Sequence, residues 1–309
     1  MTDPGIRVRA ADPGDADAIR DIWLACLREG AWEGIDEAEV RSQAEEVRHE
    51  PAETLVALVH GEIAGSITPR MNDLSVAAAR RRRGVATSLV RASLDLVRSQ
   101  GHPYLLLYVP GGGEPTRDTA ARRFAEARGF TYRATLTQMR LDDLRAVPEP
   151  ALPTGLVVRS FDPVRDDLAR YVTMMNAAFA DHATSASWDV AVVARSHARP
   201  DFDPTGIALV ATADDPGRPV AFARTAVTRD DAGASLGEVR LIGVEPRFRG
   251  RGVGRALLRW SIARFRRLGL EGAELSAVAA NDAALALYRS DGFRTVVAWP
   301  QWSLDVDGT

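Results

Sequence analysis

The strongest constraint on the fold is an arginine- and glycine-rich pattern that occurs twice in this 309-residue chain. The second copy, VEPRFRGRGVG, spans residues 244–254, and the first copy, VAAARRRRGVA, spans residues 76–86. We call them the second loop and the first loop. An alternating, strand-like run, 238–244, leads into the second loop, and apolar residues at helical spacing follow both loops. The second copy therefore predicts a strand, a glycine-rich turn and a helix in that order.

Further repetition indicates that whole domains are duplicated. IRVRAADP at 6–13 resembles LVVRSFDP at 156–163, and the halves close on ARGF (127–130) and SDGF (290–293). A repeat of about 150 residues is far longer than a solenoid repeat. Three prolines in AVPEPALP (146–153) resist both helix and sheet. We expect a first domain over residues 1–145, a linker over 146–153 and a second domain over 154–309.

Strand and helix patterns alternate in each half, and several strands are adjacent in sequence. This order predicts an α/β fold in which a mixed sheet is flanked by helices. A formal net charge of −3 argues against a general nucleic-acid or membrane binder. No apolar run approaches the roughly 18 residues of a membrane span, and no signal peptide is evident at the first residues. The single cysteine, Cys26, excludes an internal disulfide and lies in a helical apolar run, which predicts burial and a cytoplasmic location.

The chemistry of the second loop follows from its glycines. A helix opened by glycines presents free backbone N–H groups and a partial positive charge, which suits a pyrophosphate. A dinucleotide-binding fingerprint would need wider glycine spacing than Gly250, Gly252 and Gly254 have. The form Arg-x-x-Gly-x-Gly, which begins at Arg249, instead resembles the acyl-CoA pyrophosphate loop of the GNAT superfamily of N-acetyltransferases.

The resemblance covers nearly the whole chain and implies two tandem GNAT-like domains that use acetyl-CoA as co-substrate. Two sets of residues match the family's coenzyme-binding positions. In the second domain these are Ile242, Val244, Arg249, Gly250, Arg251, Gly252, Val253, Gly254, Arg255 and Asn281. In the first domain they are Val76, Arg81, Gly84 and Ala86.

A second family motif, Asn-x-x-Ala-x-x-Leu-Tyr-x-x-x-Gly-Phe, matches residues 281–293. By resemblance, Asn281 hydrogen-bonds the coenzyme and the Tyr288 hydroxyl protonates the departing thiolate. A phenol of pKa about 10 can donate a proton to a thiolate that forms transiently in a dry site. The structural alternatives are a helix N-cap for Asn281 and a core aromatic role for Tyr288.

Glu238 is the leading candidate for the general base. An acceptor amine of pKa about 8–10 must lose a proton before it attacks, and a carboxylate can accept that proton. Many GNAT enzymes carry a catalytic glutamate on this strand. A period of two predicts that Glu238 shares a sheet face with Arg240, Ile242 and Val244. The alternative is a solvent-facing charge at the start of the strand.

The first domain lacks the second motif, since Ala125 stands opposite Tyr288 when the Gly-Phe pairs are aligned. We expect it to be structural or to bind CoA without turnover. The five histidines show no metal-ligand spacing, so we expect no metal. The predicted function is N-acetylation of a small-molecule amine by direct attack on acetyl-CoA in the second domain. The predicted state is a monomer or homodimer, and the alternatives include a non-catalytic CoA-binding sensor or scaffold and a protein acetyltransferase.

Overall fold

We analysed a computed structural model of the protein. It describes residues 5–30, 32, 37–49, 51, 54–69, 73–109, 117, 119–163, 167–180, 188–198, 202–229 and 234–306. The chain divides into two compact units. The first unit consists of residues 1–137, 278–280 and 296–309, and the second consists of residues 138–277 and 281–295. Each unit takes segments from both sequence repeats, and the division at 145 and 154 stays a prediction about the repeats.

The described residues form twelve strands and eight α-helices. The strands are β1 (Ile6–Ala10), β2 (Leu55–Val59), β3 (Glu62–Thr68), β4 (Asp73–Val76), β5 (Tyr104–Tyr108), β6 (Thr131–Leu141), β7 (Leu156–Ser160), β8 (Ile207–Thr212), β9 (Asp215–Arg229), β10 (Ser235–Val244), β11 (Ala273–Val278) and β12 (Arg294–Asp305). The helices are α1 (Ala16–Arg28), α2 (Glu37–His49), α3 (Val85–Ser99), α4 (Ala120–Glu126), α5 (Asp167–Phe179), α6 (Val190–His197), α7 (Val253–Arg267) and α8 (Asp282–Ser290).

The first unit contains an antiparallel sheet in the order β1-β2-β3-β4. In the same unit, β5 pairs antiparallel with residues 301–305 of β12. Helix α3 packs Val90 and Val97 into an apolar core that also includes Trp302 and Val306. Cys26 is buried as expected, and its Sγ lies 3.9 Å from the Val76 carbonyl oxygen.

The second unit is built on strands in the order β6-β11-β10-β9-β8-β7. Strand β10 pairs antiparallel with β9 and parallel with β11, so the sheet is mixed. Helices cover both of its faces. On one face α7 buries Leu258, Ile262 and Phe265, the stripe that the sequence predicted. On the other face α5 and α6 pack against Phe222 and Leu241. The predicted α/β class with a mixed, helix-flanked sheet is confirmed.

The proline-rich segment behaves as its composition predicts, because residues 147–153 form neither helix nor strand. Val147 of this segment and Leu144, which precedes it, are nevertheless buried in the second unit together with Met139 and Leu141 of β6. Among the described residues, no helix is both long and apolar enough to cross a membrane.

Candidate active site

Strand β10 contains a β-bulge at Arg240. Val239 pairs with Thr225 of β9, but Leu241 pairs with Arg224, so Arg240 is an extra residue on the β10 side. A bulge of this kind breaks the two-residue alternation and re-aims the side chains that follow it.

The bulge corrects one expectation from the sequence. Glu238 pairs with Ala226 and therefore lies on the face that carries Phe222 and Arg224, against which α5 and α6 pack. Ile242 and Val244 lie on the opposite face, where they pack with α7. The prediction that Glu238 shares a face with Ile242 and Val244 is therefore wrong, because period-two counting cannot register an inserted residue.

The bulge also marks the point where β10 and β11 part. Their parallel ladder covers Gly237–Ala273, Glu238–Glu274 and Val239–Leu275, whereas β10 stays paired with β9 as far as Val244. Beyond Val239 the sheet therefore opens along one edge of β10. Beyond Val239 the main-chain groups on that edge of β10 are not paired with β11, and buried backbone groups require a partner from elsewhere.

The second loop connects the end of β10 to the first turn of α7. Gly252 is the N-cap residue with φ +84°, and Gly250 has φ +74°, a region that glycine adopts without steric cost. A Cβ atom built at either glycine would meet no described atom within 4 Å. The loop therefore leaves its backbone N–H groups accessible at the positive end of the α7 dipole, which is the geometry that suits an anion.

The arginines in and directly after the second loop make contacts within the protein that the sequence did not predict. Arg249 donates from Nε to the Val244 carbonyl at 3.2 Å and from Nη2 to the Ala178 carbonyl at 2.8 Å. Its guanidinium thus fastens the end of β10 to the end of α5. Arg251 lies over the Phe248 ring, and Arg255 donates to Ser290 Oγ at 3.0 Å. The Arg249 guanidinium is therefore held by two main-chain carbonyl groups of the protein itself.

The second motif begins helix α8. The Asn281 Oδ1 accepts a hydrogen bond from the Ala284 N–H at 3.1 Å, so the capping role is confirmed. The Tyr288 ring packs 6.2 Å from the Phe293 ring and against the core cluster that Ile242 also contacts. Burial raises the pKa of Tyr288 to about 12, which keeps its hydroxyl protonated at neutral pH. Tyr288 thus packs as an aromatic side chain in the core, and its hydroxyl carries a proton.

The first loop repeats the same geometry in the first unit. Arg81 donates from Nε to the Val76 carbonyl at 3.0 Å, as Arg249 does to Val244. Gly84 caps α3 with φ +89°, as Gly252 caps α7. Arg82, in the position of Gly250, has φ +61° although it is not glycine. Ala125, opposite Tyr288, is buried and has no hydroxyl to contribute. The first domain also carries a glycine-rich segment before α4, VPGGGEP at residues 109–115, of which the structure describes only Val109.

Comparisons with known proteins identify the class of protein that this architecture represents. The family model for GNAT acetyltransferases matches residues 16–130 and again residues 172–293. The chain therefore belongs to the GNAT family, with two copies of its domain, and is an acyltransferase. The acyl donor of this family is acetyl-CoA.

Two similar proteins are named mycothiol acetyltransferases. The mycothiol acetyltransferase of Thermobispora bispora is 34% identical over 294 residues, which cover 87% of this chain and 92% of the relative. The enzyme of the same name from Mycobacterium ulcerans is 33% identical over 294 residues, covering 90% of this chain and 86% of the relative. These relatives confirm the tandem-domain resemblance.

Solved structures support the fold. A GCN5-related N-acetyltransferase from Sphaerobacter thermophilus superposes with a TM-score of 0.72 at 22% identity, covering 99% of this chain and 97% of that one. A tandem GNAT protein from the clavulanic acid biosynthesis pathway gives a TM-score of 0.62 at 19% identity, covering 98% of this chain and 99% of that one.

Within the described part of the chain, no cluster of three His, Cys, Asp or Glu side chains is arranged to hold a metal ion.

Three residues on the side of the sheet that carries Glu238 were not predicted as site residues from the sequence. Arg224, Tyr171 and His197 lie on or against that side, and none of them belongs to a family motif. The available signal was Arg224 itself, a charged residue that follows the apolar run 219–223 of a strand. Its significance depends on contacts that only the folded chain provides.

Proposed function

We propose that the protein transfers an acetyl group from acetyl-CoA to a primary amine of a small molecule, and that the second unit performs the reaction. The observation that carries the proposal is the opening between β10 and β11 beyond Val239, next to an anion-suited loop. The opening gives access from the loop side of β10 to the face that carries Glu238.

The residues of the second loop fit the coenzyme. The backbone from Arg249 to Arg255 would hold the pyrophosphate, and the main chain of Ile242 and Val244 would bind the pantetheine arm. Asn281 uses only its Oδ1 in capping, so its Nδ2 group can donate to the same arm. Acetyl-CoA supplies the activated acyl group, and a neutral amine attacks its thioester directly.

Two side chains handle the protons in this proposal. Glu238 accepts the proton of the attacking amine, directly or through a water molecule. It is ion-paired with Arg240, whose Nε donates to Glu238 Oε2 at 2.8 Å, so Oε1 is the carboxylate oxygen that would accept the proton. Tyr288 donates its proton to the departing thiolate, and its raised pKa ensures that the proton is present.

The first unit would serve a structural role or bind CoA without turnover. Val76, Arg81, Gly84 and Ala86 preserve the loop, and the Arg81 contact to Val76 supports its integrity. The position of the acid, however, is occupied by Ala125. We therefore assign the chemistry to Glu238 and the second unit.

Mycothiol acetyltransferase activity proper is the second candidate for the acceptor. The two relatives with that name are 34% and 33% identical to this chain over 294 residues, so about two thirds of the aligned positions differ. We therefore place another small amine or amino-sugar conjugate first, and a non-catalytic CoA sensor after both.

A thiol-release assay with acetyl-CoA and a panel of amines tests the proposal. We expect E238Q and Y288F each to lower kcat by about 100-fold, within the usual range for a lost general base or acid. E274Q is the matched control for the first variant, because Glu274 lies beside Glu238 in the β10–β11 ladder. Y132F, which removes a hydroxyl in the first unit, is the control for the second. Undiminished turnover by Y288F would refute the assignment of the acid.

A further inference from the structure

We infer that the second unit contains a subsite for an anionic group of the acceptor, centred on Arg224. The inference rests on the proposed function, because it assigns a chemical class to the acceptor of that site. It means that the amine to be acetylated carries a carboxylate or a phosphate-like group.

Arg224 is a half-buried guanidinium that forms no hydrogen bond or ion pair with any residue the structure describes. The other arginine of this part of the sheet, Arg240, is neutralised by Glu238 at 2.8 Å. A partly desolvated charge without a counterion is unfavourable, so burial of this kind favours an anion from outside the chain.

The positive charge of Arg224 acts on two further polar groups that have no hydrogen-bond partner among the described residues. The Tyr171 side chain is fully buried, and its hydroxyl makes no hydrogen bond with a described residue. The same holds for both ring nitrogens of His197, which stacks on Phe202 with ring centroids 4.0 Å apart. Buried polar atoms are satisfied in most native proteins, so three unsatisfied atoms beside one free cation indicate a missing ligand.

The protonation states of these groups suit an oxyanion. Burial raises the pKa of Tyr171, so its hydroxyl remains a donor. Burial and then the positive charge of Arg224 lower the pKa of His197 to about 4, so the imidazole is neutral at pH 7 and donates from one nitrogen. A guanidinium, a phenol and an imidazole N–H together offer donors to a carboxylate or phosphate.

No carboxylate among the described residues forms an ion pair with Arg224. Asp203 is hydrogen-bonded to Arg264 and Thr205, and Glu238 is paired with Arg240. The positive charge of Arg224 would repel an ammonium group at this position. The subsite therefore discriminates in favour of the acidic end of a bifunctional molecule.

The register places this subsite next to the proposed base. Arg224 pairs with Leu241 and Glu238 pairs with Ala226, so Arg224 and Glu238 are diagonal neighbours on one face. Diagonal Cβ atoms on adjacent strands lie about 7 Å apart, within reach of long side chains. An anion held at Arg224 would therefore leave an amine a few bonds away beside Glu238.

Histidine NMR tests the subsite without depending on acetyl transfer. The probes are propionate, methylphosphonate and the uncharged propionamide, added to the full-length protein with ¹⁵N-labelled histidine. We expect at least one of the two anions, but not propionamide, to shift the His197 resonance, which is assigned by its loss in H197F. R224Q should weaken that response at least tenfold, R224K should retain part of it, and R267Q, at an exposed position of α7, should leave it unchanged. Intact resonances from the other four histidines show that R224Q is folded.

An acetylation arm separates this inference from the proposed function. Glycine, β-alanine and 4-aminobutyrate are compared with their amides, and aminomethylphosphonate distinguishes a phosphate-like group from a carboxylate. Turnover without any anion-induced shift in the wild-type protein would overturn the subsite and leave the proposed function standing. An Arg224-dependent shift without turnover of any amine would support the subsite and count against the proposed function. A shift that R224Q leaves unchanged would overturn the subsite.

Discussion

The two loops offer a matched pair of substitutions, because one backbone position is occupied by arginine in one copy and by glycine in the other. Arg82 has φ +61° and Gly250 has φ +74°. An L-residue in this left-handed region costs about 1–2 kcal/mol. Glycine relieves that cost but loses about 0.5–1 kcal/mol through the greater freedom of the unfolded chain. With the midpoints of these ranges, about 1.5 and about 0.75 kcal/mol, the net preference for glycine is about 0.75 kcal/mol.

We expect R82G to raise the free energy of unfolding by this amount and G250A to lower it by the same amount. Steric clash does not contribute at Gly250, because a Cβ there would meet no described atom within 4 Å. Urea unfolding followed by circular dichroism measures both variants. The corresponding shift in Tm is about 1.5–3 °C, at roughly 2–4 °C per kcal/mol for domains of this size.

Two controls isolate the backbone effect. R82A removes the charge of Arg82 but keeps an L-residue, so it should not gain the stability that R82G gains. G14A places a Cβ in open space without a positive φ and should not be destabilising. Equal stability of R82G and R82A, or an unchanged G250A, would refute the argument that φ governs this position.

Three further predictions follow from individual contacts. N281A should lose about 1 kcal/mol of capping energy and also bind CoA more weakly in calorimetry, whereas T119A, which removes the equivalent cap of α4, should lose only stability. Burial lowers the pKa of His197 from 6.5 in the unfolded chain to about 4, so its contribution to stability is present above pH 6.5 and is lost as the pH falls towards 4. In urea unfolding, the free energy of unfolding of H197F should therefore decline less steeply over that range. G237A would place its Cβ 2.3 Å from the buried Phe265 ring, so it should cost about 1–3 kcal/mol in thermal unfolding, and F265L should reduce that loss.

The local features of the second loop could be predicted from the sequence. Glycine at 250 and 252, the apolar stripe of α7 and the Asn281 cap each depend on a few neighbouring residues, and the structure has all of them. The family resemblance extended this to the fold, because its motifs have a fixed order along the chain. Coenzyme contacts and the roles of Glu238 and Tyr288 stay predictions.

The remaining features depend on pairing between distant segments. The bulge at Arg240 is defined only by its register with β9, and alternation in β10 alone gives the wrong face for Glu238. The lack of a partner for Arg224 is likewise a property of the packed sheet. A sequence shows that an arginine is present but not that every nearby carboxylate is already engaged.

The composition of the two units restricts how this protein can be divided. A fragment that begins at residue 154 would lack Met139, Leu141, Leu144 and Val147 from its own core, and a fragment that ends at residue 145 would lack Trp302 and Val306. Dividing the chain between the repeats thus removes buried residues from the hydrophobic cores of both units. Deleting either repeat would therefore also remove buried residues from the unit built mainly on the other, so we expect neither half of the chain to fold alone.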